Sequence, residues 1–161
     1  MQKVSDKEVF TVRNDEFFEQ VVSFLEQGRR VTIPCKGYSM LPTIRGGKDL
    51  VVLEKREKYV PGDIVLFCTG GHHVLHRILK EGGRGFITRG DGNFTGEETC
   101  AEEDVFGKVV EILRDGKKPV NPDSPGEKRK LAVWDAFLPL RRYLKAIYVR
   151  LPWNRGWIGN M

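Results

Sequence analysis

Apolar residues recur along this chain in three regimes, and each regime predicts a different kind of element. Between Asn14 and Gln27, Phe17, Phe18, Val21, Val22 and Leu25 fall at helical spacing and form one stripe, which predicts an amphipathic helix. Asn14 is its candidate N-cap, Asp15, Glu16 and Glu19 suit the positive end of the helix dipole, and Gly28 stops it. From Arg30 to Ile112 the pattern shortens to β-rich runs separated by Gly, Pro and Asp. These are Val31 to Ile33, Leu50 to Glu54, Asp63 to Phe67, Val74 to Ile78, Gly85 to Thr88 and Val105 to Leu113. The third regime runs from Lys128 to Arg150, where Leu131, Trp134, Phe137, Leu138, Leu144, Ile147 and Tyr148 return to helical spacing and Pro139 splits or kinks the segment.

Short strands at this spacing predict a mainly β, α+β chain: a compact, curved, mostly antiparallel sheet or partly open barrel, with an N-terminal amphipathic helix and a C-terminal helical segment. The expected division is residues 1–113 as helix plus β-rich domain, 114–127 as an exposed linker rich in Gly, Pro, Asp and Lys, and 128–161 as a basic amphipathic tail packed on or beside it. With 161 residues, the chain is long enough to bury a proper core.

Charge changes the picture in one place only. The formal net charge is +5. Residues 128–150 hold Lys128, Arg129, Lys130, Arg141, Arg142, Lys145 and Arg150 against the single acid Asp135, so the basic excess sits in this segment. No nucleic-acid motif accompanies it, and none of the protein's partners is expected to be a nucleic acid. The stripe instead suits peripheral contact with an anionic membrane surface, unless its apolar face docks on the sheet. The three cysteines, Cys35, Cys68 and Cys100, are far apart with no CxxC pair, which fits unpaired thiols in a reducing compartment and excludes zinc-finger spacing. The charged first thirty residues lack the apolar run of a secretory signal, and no stretch approaches 18 apolar residues. The expected location is therefore cytoplasmic, with peripheral membrane attachment as the variant.

Candidate chemistry comes from an ordered set of polar residues. Ser39 sits in the Gly/Pro-flanked loop Gly37-Tyr38-Ser39-Met40-Leu41-Pro42-Thr43, where backbone N–H groups can face an oxyanion. A loop serine more often bonds its own backbone, and as a nucleophile it needs a partner to take its proton. His76, in His72-His73-Val74-Leu75-His76, is suited to that task because an imidazole titrates near neutral pH. A partly buried strand histidine is the plainer reading. Metal binding is disfavoured, since His72 and His76 on one strand face stand roughly 13 Å apart. Asp91 lies in the turn Gly90-Asp91-Gly92-Asn93, and Asp63 opens a strand after Pro61-Gly62; both positions are also ordinary structural ones.

Taken in order, Gly37 to Thr43, Pro61-Gly62-Asp63-Ile64-Val65, His76-Arg77-Ile78, Gly90 to Asn93 and Gly107-Lys108-Val109-Val110 resemble the signal peptidase I superfamily, which includes the self-cleaving SOS-response repressors. The likeness covers residues 31–113, and His76-Arg77-Ile78 is similar to the branch that carries histidine where other members carry lysine. The resemblance implies a fold of the signal-peptidase type and serine endopeptidase activity on a leader peptide or preprotein. It makes Ser39 the nucleophile, His76 the general base and Asp91 the acid that steadies it. Gly37, Tyr38, Met40 and Pro42 would serve the oxyanion hole and substrate site, and Glu97 would be an auxiliary acid. No cofactor or metal is implied. The sequence departs from the family at Gly37, where serine is frequent, at Glu97, where aspartate is usual, and in showing no anchoring helix. The alternatives are a non-catalytic peptide-binding or accessory module on the same fold, and a self-cleaving regulator.

Overall fold

The computed structural model describes residues 14–137 and 140–150; the expected break at Pro139 and the tail from Leu151 to Met161 lie outside them. Helix α1 (Asn14–Glu26) leads into an antiparallel sheet of β1 (Val31–Pro34), β2 (Leu50–Glu54), β3 (Ile64–Thr69), β4 (His72–Gly82), β5 (Gly85–Arg89), β6 (Glu98–Ala101), β7 (Val105–Arg114) and β8 (Lys118–Val120). Helices α2 (Pro125–Ala136) and α3 (Arg141–Arg150) follow. Neighbours run β1-β2-β7-β3-β4-β5-β6, with β8 paired to β7, so the sheet is not closed and β1 and β6 end the path.

The six expected strands are present, and the sheet gains two short ones that lack an apolar run. Strand β6, Glu-Thr-Cys-Ala, is recruited by pairing with β5, and β8, Lys-Pro-Val, folds back on β7. The segment expected as an exposed linker, 114–127, holds β8 and the start of α2 and is fastened by ion pairs. Arg114 joins Asp49 at 2.7 Å and Glu127 at 3.0 Å, while Lys108 joins Asp123 at 2.9 Å. A run of Gly, Pro and charge cannot reveal ion pairs to residues far away in the chain, nor the burial of Pro122.

Strand β3 sits in the middle and explains its own sequence. Its Ile64 and Leu66 enter the cluster formed with Val21 and Leu25 of α1, Ile33, Met40, Ile44, Val51, Leu53, Val109 and Ile112. Val65 and Phe67 enter a second cluster with Tyr59, Ile78, Phe86, Cys100 and Val105 on the opposite face. A strand covered on both faces needs an unbroken apolar run, and Ile64-Val65-Leu66-Phe67 supplies it. Helix α1 approaches β7 closely because Gly107 has no side chain; a β-carbon there would stand 3.2 Å from Leu25 Cδ1. Among the described residues no helix is long and apolar enough to cross a membrane.

Candidate active site

Pairing between β3, β4, β5 and β6 places the polar residues. In β4, His76 lies opposite Val65 and Arg77 opposite Ile64; further along, Ile78 pairs with Thr88, and Thr88 with Glu98. Directly paired residues share a sheet face, and so do residues two apart on a strand. His76, Ile78, Thr88 and Glu98 therefore share one face, and the His76 ring meets Glu98: Nδ1 and Oε2 are 3.1 Å apart. Glu97, one residue earlier, is exposed.

The carboxylate on the His76 ring is thus Glu98, where the resemblance implies Asp91. Asp91 is engaged elsewhere. Arg77 Nε and Nη2 each donate to its carboxylate at 2.8 Å, and the Thr43 hydroxyl donates to the same group. Its side chain is only 4% exposed, so it cannot turn away from these partners without leaving Arg77 unpaired. Arg77 also donates to the Gly62 carbonyl at 2.6 Å, and Lys108 Nζ pairs with Asp63 at 2.6 Å. Each of the five motifs is therefore tied to another: the serine loop through Thr43 to Asp91, Asp91 to Arg77, Arg77 to Gly62, and Asp63 to Lys108.

The serine loop is also fixed by its backbone. The Gly92 N–H donates to the Ser39 carbonyl at 2.7 Å, and the Ile44 N–H to Met40 at 2.9 Å. Glycine is required on the facing turn. A β-carbon on Gly90 would collide with the Ser39 carbonyl and lie 3.0 Å from His76 Nε2, and one on Gly92 would lie 2.7 Å from the Tyr38 carbonyl. The Ser39 carbonyl and His76 Nε2 thus both lie beside Gly90. Ser39 is half-buried, Gly37 exposed in the left-handed region (φ 78°), Tyr38 half-buried and Pro42 exposed after a cis peptide bond. Met40, expected at the substrate site, points its side chain into the core at 5% exposure, so only its backbone is available there.

Electrostatics favour a neutral imidazole. Burial of His76 lowers its pKa below the ordinary histidine value, against the opposing pull of Glu98 and, more weakly, Asp91. A ring that is unprotonated near neutrality, with Nδ1 held by a carboxylate, offers Nε2 as an acceptor. The other histidines stand apart: His72 is exposed, and His73 stacks on Phe18 with ring centroids 4.4 Å apart. Among the described residues no three His, Cys, Asp or Glu side chains converge as metal ligands would.

No protein-family model matches the chain, and no curated protein matches it. The geometry itself therefore carries the functional reading. Sequence reasoning missed Glu98, although a signal existed: an acidic residue opening a Thr-Cys-Ala run two strands away from the histidine. Only the β5–β6 register distinguishes it from Glu97.

Proposed function

We propose that this chain is a serine endopeptidase of the signal-peptidase type, cleaving a leader peptide or preprotein. The observation that carries this reading is the placement of His76 Nε2 and the Ser39 carbonyl together beside Gly90, with Glu98 on the other nitrogen of the ring. In the proposed mechanism His76 takes the Ser39 hydroxyl proton as Oγ attacks the scissile carbonyl, and Glu98 stabilises the resulting imidazolium. Backbone N–H groups of the serine loop, that of Ser39 included, receive the oxyanion. Collapse breaks the peptide bond, and His76 returns the proton to the departing amine. Water then attacks the acyl-enzyme, again giving its proton to His76, and releases the acid product with Ser39 restored.

Asp91 has a positioning role in this scheme. Through Thr43 and Arg77 it holds the serine loop against β4, so that loss of its charge loosens both catalytic partners at once. The substrate binds extended along the edge strand β1, whose chain continues through Cys35 and Lys36 into the serine loop.

The test is mass-spectrometric cleavage profiling of a proteome-derived peptide library by wild type and Ser39→Ala together. Cuts that appear with wild type alone are the expected result. Identical profiles would refute the mechanism, and a leader peptide bound tightly but left uncut by both would establish the non-catalytic module instead.

A further inference from the structure

We infer that α2 and α3 form a docking surface for an anionic membrane. Helix α2 is well made at its start: the Ser124 hydroxyl accepts from the Glu127 N–H at 3.4 Å and Pro125 occupies the first turn. It is anchored to the body by Glu127 on Arg114 and by Trp134, whose Nε1 donates to the Asp91 carbonyl at 3.0 Å. Yet no residue of α2 is buried. Leu131 and Trp134 are half-buried against the body, while other apolar side chains of the two helices stay exposed. Val133, Phe137, Leu140, Leu144 and Ile147 are each 43 to 58% exposed, and they recur at spacings of four and three.

Charge identifies what covers these residues. Seven Lys and Arg in residues 128–150 accompany them with Asp135 as the only acid. A second copy of the chain would bring the same seven cations against them, which disfavours self-association through this face. A bilayer with anionic headgroups satisfies both features, taking Leu, Ile and Phe a few ångströms into its interface while Lys and Arg reach phosphates on long stems. A peptide helix would need a groove long enough for several anchors, and its capture is kept as an outcome of the test below. A recess of about 550 Å³ lies between Pro42 of the serine loop and Arg129, Lys130, Val133, Trp134 and Phe137 at α2. Docking would accordingly bring the membrane up to the edge of the Ser39 loop. The inference does not rest on the peptidase reading, because binding is measured without any cleavage.

The experiment is co-sedimentation of the full chain with vesicles of phosphatidylcholine alone and of phosphatidylcholine with phosphatidylglycerol. Binding to the anionic vesicles, weakened by added salt, is expected, with little on the neutral ones. The variant Leu144→Ser/Ile147→Ser alters exposed positions only; it should keep the wild-type melting temperature and lose at least about tenfold in vesicle affinity. A variant carrying Lys128→Gln, Arg129→Gln and Lys130→Gln should lose binding in the same way. Absence of wild-type binding to anionic vesicles would overturn the inference, as would unchanged affinity of the serine variant. So would a concentration-dependent dimer, or capture of an acidic peptide, in protein that ignores vesicles.

Discussion

Replacing Glu98 by Gln separates the roles of the two carboxylates around His76. Gln keeps the length and polarity of the side chain and removes its charge, so the contact with Nδ1 can persist while the imidazolium loses its counter-charge. Unit charges 3.1 Å apart interact by roughly 5 kcal/mol at an effective dielectric of about 20. The Glu98 side chain is 36% exposed, which screens the pair towards the surface value of about 1 kcal/mol. A net loss of about 1.4 to 3 kcal/mol in the transition state corresponds to a fall of about 10- to 100-fold in kcat/KM. The melting temperature should hardly move. The activity-independent assay is NMR titration of the His76 ring: because Glu98 raises the pKa that burial lowers, Glu98→Gln should titrate at lower pH than wild type. Asp91→Asn should behave differently. It breaks a buried double contact with Arg77, costing about 3 kcal/mol of stability, or about 6–12 °C in melting temperature for a chain of this size. A His76 titration unchanged in Glu98→Gln, or moved further by Asp91→Asn than by Glu98→Gln, would refute the assignment.

Three further outcomes follow from the same contacts. Gly90→Ala places a methyl group against the Ser39 carbonyl and His76 Nε2, so it should cost about 1–3 kcal/mol of stability; chemical denaturation that shows no loss would contradict the packing described. Asp49 has a fully buried side chain shared by Arg45 and Arg114, and Asp49→Asn should cost about 3 kcal/mol and increase proteolysis near residues 114–124; an unchanged digest would mean that this segment is not held as described. His73 and His76 both have pKa values lowered first of all by burial, so the unfolded chain binds their protons more readily than the native one. Stability from these two groups is complete above the ordinary histidine value of 6.5 and is lost as pH falls through their lower native values. Denaturation measured from pH 7.5 downwards should show that decline, and replacing both by Gln should flatten it.

Local pattern sufficed wherever one segment's own periodicity decides its state. The stripe of Phe17, Val21 and Leu25 specified α1, and the continuous apolar run from Ile64 to Phe67 marked a strand covered on both sides. The local settings of the candidate residues were equally legible: a serine in a constrained loop, a histidine on a strand, and glycines in the turn that meets them. What the sequence by itself could not decide was partnership. Whether Asp91, Glu97 or Glu98 reaches the His76 ring depends on β-register, because one step along a strand turns a side chain to the opposite face. Weak strands such as Glu98–Ala101 and Lys118–Val120 exist only because a neighbour offers its backbone groups. The same holds for the pairs Arg77–Asp91 and Asp49–Arg114, which join residues remote in the chain. Val133, Phe137, Leu140, Leu144 and Ile147 are the converse case, since amphipathic spacing marks them as apolar positions and only the packed structure shows their side chains exposed.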